Sequence, residues 1–368
     1  MDRTKEFFVQ QLLAWFQKYQ RDLPWRKNKN PYYIWVSEVM LQQTRVDTVI
    51  PYFQRFIEKF PTLQALADAP EEEVLKIWEG LGYYSRARNL HAAVKEVKEK
   101  YNAEVPRDKG KFSALKGVGP YTAGAVLSIA YGLPLPAVDG NVMRVLSRYF
   151  LIAEDIAKGS TKAYMERLLH DLIPPDAAGD FNQALMELGA LVCTPKSPHC
   201  LTCPVMERCL GRLEGVEESL PVKKKGKPPR LERRLVAYVR GQGREQGKIL
   251  VRQRPQAGLL AKMWELPHVE LEDALLIGRE PQAGEYLAAK LEAQDNVRIA
   301  AGDWLMEAEH TFSHIHWNLQ VFACAPLAGE IAPENGLNGR YRWISLAETE
   351  QYAFPNVFLK ILRALKNK

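Results

Sequence analysis

The chain has 368 residues, 46% of them hydrophobic and 26% charged, with a formal net charge of +6. This is an ordinary globular mix, enough for two or three domains with cores of their own. The modest basic excess is compatible with nucleic acid as a partner, and equally with a solvated positive face.

Residues 1–20 carry Asp2, Arg3, Lys5 and Glu6, then Phe8, Leu12, Trp15, Phe16 and Tyr19 at helical spacing. The pattern predicts an amphipathic helix and not a signal peptide. No run reaches the roughly 18 apolar residues of a membrane span. An intracellular, cytoplasmic protein is therefore expected. Helical periodicity recurs over 46–60, 71–78, 86–101, 121–131, 142–151, 162–172 and 181–192, with Gly-, Pro- and Asn-rich turns between. Residues 1–212 read as one mainly α region.

Four stretches of this region carry chemistry-bearing residues. Glu38 lies in Trp35-Val-Ser-Glu-Val-Met-Leu-Gln-Gln-Thr44. Most glutamates are solvated, but the apolar neighbours of Glu38 make burial and a raised pKa open to it. Leu81-Gly-Tyr-Tyr84 is a glycine turn whose tyrosines read equally well as core aromatics. In Phe112-Ser-Ala-Leu-Lys-Gly-Val-Gly-Pro-Tyr-Thr-Ala-Gly124, Gly117 and Gly119 permit a tight turn and Pro120 suits the first position of a helix. Converging backbone N–H groups and a helix N-terminus would bind a phosphate. The plain alternative is a helix–turn–helix connection. Asp139, in Val138-Asp-Gly-Asn-Val-Met-Arg144, stands where a helix should begin, a natural N-cap.

Four of the five cysteines follow with the spacing Cys193-x6-Cys200-x2-Cys203-x5-Cys209. In a reducing compartment such clustering points to metal rather than disulfides. Four thiolates from one loop suit tetrahedral zinc or a [4Fe–4S] cluster, and spacing alone leaves both open. Cys324 reads as an ordinary, partly buried thiol.

Over 213–233 the composition shifts. Lys223, Lys224, Lys225, Lys227, Arg230, Arg233 and Arg234 crowd around Pro221, Pro228 and Pro229. This is an exposed linker, either a solvated tether or a strap along DNA phosphates. Residues 234–368 read as a separate α+β domain. Strand-like alternation occupies 235–239, 248–252 and 312–322, and helical patterns occupy 284–294 and 356–366.

The hairpin motif and the cysteine spacing together resemble the helix-hairpin-helix DNA glycosylases with an iron–sulfur loop. The stretches around Glu38 and Asp139 are similar to those of the MutY-type adenine DNA glycosylases, and Gly258-Leu-Leu-Ala-Lys-Met-Trp-Glu-Leu-Pro267 is similar to their Nudix-like C-terminal domain. The resemblance implies a [4Fe–4S] cluster on Cys193, Cys200, Cys203 and Cys209. It implies hydrolytic removal of adenine opposite 8-oxoguanine or guanine in double-stranded DNA by a monomeric enzyme.

Cleaving an N-glycosidic bond requires a protonated leaving purine and a stabilised sugar cation, so two carboxylates in different environments suffice. By the resemblance Glu38 protonates adenine at N7, Asp139 stabilises the sugar and Asn141 supports the site. Arg26 and Gln183 lie near the flipped base, although some relatives carry Glu at the Gln183 position. Gln43 and Tyr83 wedge into the duplex, and Thr44 and Leu81 touch the oxidised guanine. Phe312, Ser313 and His314 probe that base, Ser313 accepting from its N7–H. Bifunctional relatives such as endonuclease III place a Schiff-base lysine after the hairpin. Here Tyr121 stands in that place, and a phenol cannot form an imine, so a monofunctional enzyme is implied.

The rivals are an endonuclease III-like glycosylase for oxidised pyrimidines and a non-catalytic DNA-damage-binding protein. Tyr121 and the C-terminal domain oppose the first, and the presence of both carboxylates opposes the second. A Nudix pyrophosphatase lacks its acidic metal helix. On one strand His310, His314 and His316 would share a face. Zinc is then conceivable there, but surface and DNA contacts are favoured for want of another ligand type.

Overall fold

A computed structural model describes residues 3–224, 226–272, 278–327 and 340–366. Met1, Asp2 and Lys225, used above, lie outside the described residues. The chain divides into two compact units. One holds Met1–Ala69 and Arg86–Lys225, the other Pro70–Ser85 and Gly226–Lys368.

The first unit is helical. Its helices are α1 (Arg3–Tyr19), α2 (Pro31–Leu41), α3 (Val46–Lys59) and α4 (Leu63–Asp68); α5 (Glu71–Ile77) belongs to the second unit. The first unit continues through α6 (Ser85–Lys100), α7 (Lys109–Ser113), α8 (Pro120–Tyr131), α9 (Gly140–Tyr149), α10 (Gly159–Leu172), α11 (Ala178–Leu191) and the short α12 (Leu210–Leu213). Helices α1, α3, α5, α6, α8, α9, α10 and α11 lie where the periodicity predicts them; α2, which is apolar on nearly every side, and the short α4, α7 and α12 carry no such period. One core gathers Phe8, Leu12 and Phe16 of α1, Val142, Val145 and Leu146 of α9, Leu168 and Leu169 of α10, and Phe181, Leu185 and Leu188 of α11. Asn30 caps α2 through bonds from Tyr32 N and Tyr33 N, and Asp139 caps α9 through Val142 N.

Among its described residues the second unit has seven strands: β1 (Arg230–Val239), β2 (Lys248–Gln253), β3 (Trp264–Glu265), β4 (His268–Glu270), β5 (Ile299–Thr311), β6 (Ile315–Pro326) and β7 (Tyr341–Ser345). They form one sheet of order β4-β1-β6-β5 and another of order β3-β2-β7. Strands β1 and β6 run parallel, β5 and β6 antiparallel. Helix α13 (Pro281–Asp295) buries Ala283, Leu287 and Leu291 against Leu235, Ala237, Ile299 and Phe322 of the first sheet. Helix α14 (Asn356–Lys366) buries Val357, Phe358, Ile361, Leu362 and Leu365.

Three expectations for this unit change. The exposed linker expected to run to 233 stops short of that, because β1 opens at Arg230, which puts Arg230, Arg233 and Arg234 in a paired strand. The strand predicted over 312–322 opens only at Ile315, and Phe312, Ser313 and His314 form the turn between β5 and β6, closed by Phe312 N donating to Ile315 O at 2.7 Å. His310 therefore lies next to the end of β5, His314 sits in the turn and His316 is the second residue of β6, so the three do not share one strand face. Strand β5 carried no clear sequence signal. Its register shifts between Ala301, Trp304 and Met306, which breaks the alternation that marks a strand.

Candidate active site

Helix α2 is apolar on nearly every side, and Tyr32 and Ile34–Met40 are buried in it. Glu38 is carried into that interior by its own helix and is only 4% exposed. The Tyr121 hydroxyl, from the first turn of α8, donates to Glu38 Oε2 at 2.5 Å and also contacts Met186 Sδ at 3.3 Å. Burial pushes the Glu38 carboxyl up to about 7; the Tyr121 hydrogen bond pulls it down, the charge of Asp139 pushes it up and that of Arg26 pulls it down. Burial likewise raises the Tyr121 phenol well above its ordinary value.

Asp139 reaches the same place from the N-terminus of α9. Its Oδ1 accepts from Val142 N at 2.7 Å and its Oδ2 from Asn141 Nδ2 at 3.0 Å. Burial raises this carboxyl, opposed by those N–H donors and by the Arg144 charge. The approach of α8 depends on Gly124, where a Cβ would meet Pro136 O at 1.9 Å. The structure thus brings Glu38, Tyr121 and Asp139 together from three helices. One acid held up near 7 can give a proton, and a carboxylate at a helix N-terminus can face a cation.

The support of Asp139 continues to the cysteine loop. Asn141 Oδ1 accepts from Arg144 Nη2 at 2.8 Å, and Arg144 Nε donates to Cys193 O at 2.7 Å. Arg148, one turn further on α9, is buried and donates to Leu220 O at 3.0 Å and Thr194 O at 2.7 Å. Cys193, Cys200, Cys203 and Cys209 line one cavity with Arg148, Arg212 and Glu217, and none forms a disulfide. Burial pushes the Cys203 thiol up to about 12 and raises Cys200 and Cys209. Among the described residues no three His, Cys, Asp or Glu side chains close into a group for a single metal ion.

On the other side of the pair, Arg26 Nε donates to Gln183 Oε1 at 3.1 Å. Sequence reasoning missed what holds Arg26. Glu187 is 2% exposed, and its Oε2 accepts from Arg26 Nη2 at 3.0 Å and from Arg21 Nη2 at 2.9 Å. The available signal was the four-residue step from Gln183 to Glu187 along α11, which puts both on one face. Arg86 was also missed. It is buried, and its Nη1 donates to Val39 O at 2.9 Å and Met40 O at 2.8 Å, satisfying carbonyls at the C-terminus of α2. Its Nη2 reaches Thr44 Oγ1 at 3.3 Å. Gln43, beyond that helix end, is exposed with φ +60°.

The hairpin between α7 and α8 turns at Gly117, where φ is +79° and a Cβ would meet Asn89 Cβ at 2.6 Å. Gly119 is extended, with φ −90°, and has open space where its Cβ would stand, so no turn geometry demands glycine there. It precedes α8 without a side-chain cap, leaving the first-turn amides to a ligand.

The remaining residues lie in the second unit. Leu81 is buried, and Tyr83 is 45% exposed with φ +49°. Ser313 and His314 are exposed at the β5–β6 turn, and the half-buried Phe312 ring meets Trp317 edge-on at 4.9 Å between centroids. Trp317 is fully buried and donates from Nε1 to the buried Glu232 at 2.9 Å.

Residues 36–175 match the HhH-GPD superfamily of base excision DNA repair proteins, and residues 238–364 match the NUDIX domain. The chain is 38% identical to the adenine DNA glycosylase of Rattus norvegicus, over 97% of this chain and 77% of that protein. It is 30% identical to that of Buchnera aphidicola subsp. Acyrthosiphon pisum, over 99% of both chains. Among solved structures, a thermostable thymine-DNA glycosylase aligns with TM-score 0.52 and 29% identity, over 58% of this chain and 98% of the other. A trapped endonuclease III–DNA covalent intermediate aligns with TM-score 0.50 and 27% identity, over 58% and 99%.

Proposed function

Since the chain belongs to the family of the adenine DNA glycosylases, we propose that it flips adenine out of duplex DNA and excises it hydrolytically when it faces 8-oxoguanine or guanine. The observation that carries the reading is Glu38: a carboxyl 4% exposed, raised to about 7, hydrogen-bonded by Tyr121 and within electrostatic reach of Asp139. Glu38 gives its proton to adenine N7. The C1′–N9 bond breaks and its electron pair leaves with the purine. Asp139, whose N–H donors at the start of α9 favour its charged form, faces the positive charge left on the sugar. Water adds to C1′, and its released proton restores Glu38. Tyr121 offers no amine, so no imine forms and the backbone stays intact.

Arg26 and Gln183 border the flipped base, with Asn141 holding Asp139. Gly117, Gly119 and the first-turn amides of α8 take a phosphate. The basic stretch that precedes β1, with Lys223, Lys224 and Lys227, runs along others. Gln43 and Tyr83 fill the space that adenine leaves, Thr44 and Leu81 approach the oxidised base, and Phe312, Ser313 and His314 read it.

The four cysteines fit a [4Fe–4S] cluster. Four soft sulfur donors from one loop line one cavity, the donor set that such a cluster takes. The cluster would supply structure, fixing the loop 193–209 near the DNA backbone. The enzyme acts as an intracellular, cytoplasmic monomer. No described helix is long and apolar enough to cross a membrane.

The decisive assay is release of free adenine from duplexes bearing A opposite 8-oxoguanine, G, C or T. Fast release from the first, slower from the second and little from A opposite T is expected. No release from any would overturn the proposal.

A further inference from the structure

The turn that carries Tyr83 is unusual in its backbone. Gly80, Gly82 and Tyr83 all have positive φ, at +95°, +78° and +49°. A tyrosine rarely adopts that conformation, so something must impose it. Part of the support is local: Trp78 Nε1 donates to Gly82 O at 3.1 Å, and Gly80 N donates to the Tyr84 hydroxyl at 3.1 Å.

Further support comes from the far end of the chain, within the same unit. Phe354 N donates to Glu79 Oε1 at 2.7 Å, across 275 residues of sequence. Asn356 Nδ2 reaches Gly80 O at 3.4 Å. Lys76 Nζ pairs with Glu79 Oε2 at 2.7 Å and also donates to Tyr352 O at 3.0 Å. Glu79 therefore accepts from Lys76 on one oxygen and from the Phe354 amide on the other. Both side chains are largely buried, at 25% and 15% exposure, so the bonds are shielded from competing water.

We propose that residues 349–356 latch the turn 80–84 through Lys76, Glu79 and Asn356, making these three positioning residues for Tyr83. The inference rests on the reading of Tyr83 as the wedge that enters the duplex. It assigns the C-terminal segment a second duty besides reading the lesion: holding the wedge in the conformation that projects it. The latch acts before any lesion is met, so it serves A opposite G and A opposite 8-oxoguanine alike.

A double-mutant cycle in the full-length protein tests it. Single-turnover adenine release is measured for Tyr83→Ala, Glu79→Ala and the double variant. The fluorescence of 2-aminopurine beside the mispair reports local unstacking on binding. Glu79→Ala should slow excision roughly tenfold on both duplexes, the scale of one charge-assisted hydrogen bond, and should lower the unstacking signal. The double variant should be no slower than Tyr83→Ala. Should Glu79→Ala fold poorly, Asn356→Ala replaces it in the same cycle. Losses that multiply in the double variant, or wild-type rates in Glu79→Ala beside a slow Tyr83→Ala, would overturn the latch and leave the wedge standing. Wild-type rates in Tyr83→Ala would overturn the wedge reading itself.

Discussion

Tyr121 donates its hydroxyl proton to Glu38 at 2.5 Å, so the residue in the lysine position of bifunctional enzymes leans on the acid. That bond favours the ionised carboxylate, against a burial that favours the neutral one. In the proposed mechanism excision uses the neutral acid, so the rate should fall as pH rises through about 7. Tyr121→Phe removes a bond that lowers the pKa, and its alkaline limb should move to higher pH. Single-turnover profiles of the two proteins decide this; a limb that moves to lower pH contradicts the assigned roles.

Glu38→Gln should nearly abolish excision while DNA binding persists, and Asp139→Asn should do the same. The first change has a further consequence. A carboxyl whose folded pKa lies above its unfolded value of 4.5 stabilises the fold only below that value, and its penalty is fully present above about 7. Glu38→Gln should therefore raise the stability at pH 8, by at most roughly 3 kcal/mol, and the thermal midpoint with it, and leave both nearly unchanged at pH 4. A lower midpoint at pH 8 would contradict the burial argument.

The wild type should leave an abasic site that breaks only after hot alkali. Tyr121→Lys places an amine beside Asp139 and should gain strand cleavage and borohydride-trappable DNA adducts. Efficient trapping of the wild type through another lysine would remove the monofunctional reading.

The purified protein should be brown, with about four irons and four acid-labile sulfides per chain. Cys200→Ala should lower soluble yield, because ligand loss is coupled to folding. A fully active preparation with stoichiometric zinc and no iron refutes the cluster.

Glu187 tests the pocket from its outer side. Burial pushes its carboxyl up, but hydrogen bonds from Arg21 and Arg26 outweigh this and hold it down at about 2. Such a group stabilises the fold above its unfolded value of 4.5, and that contribution is lost as pH falls from there towards 2. Glu187→Gln leaves two guanidiniums without their counter-charge and should cost about 3–5 kcal/mol at pH 7, a difference that shrinks in acid. Urea titrations at pH 7 and pH 3 provide the comparison.

Ser313→Ala should be mild, since one hydrogen bond is worth about 0.5–1.5 kcal/mol. Removing Phe312, Ser313 and His314 together should slow excision far more opposite 8-oxoguanine than opposite guanine. Equal losses would mean that the turn adds only affinity.

Much of this was legible in the residues because it is local. Asp139 followed by Gly140 and Asn141 announces a cap, and an apolar stretch around Glu38 announces burial. Gly117 before Pro120 announces a turn into a helix. What the sequence could not show is what meets what across the chain. Arg144 reaching Cys193, Arg86 closing the end of α2 and Phe354 bonding Glu79 depend on contacts between distant segments, for which no periodicity exists. Strand β5 was hidden for a different reason: its irregular register removes the alternation by which a strand is read.

The position of residues 70–85 also bears on how the protein is made. This segment belongs to the unit completed by residues 226–368, so it leaves the ribosome well before its partner strands exist. At translation rates of about 5–20 residues per second the wait is on the order of ten seconds. During that time α1 and its neighbours can close their own core, with the chain on both sides of residues 70–85 already part of that unit. The second unit then forms not from a free tail alone but by capturing a segment that the finished first unit presents to it.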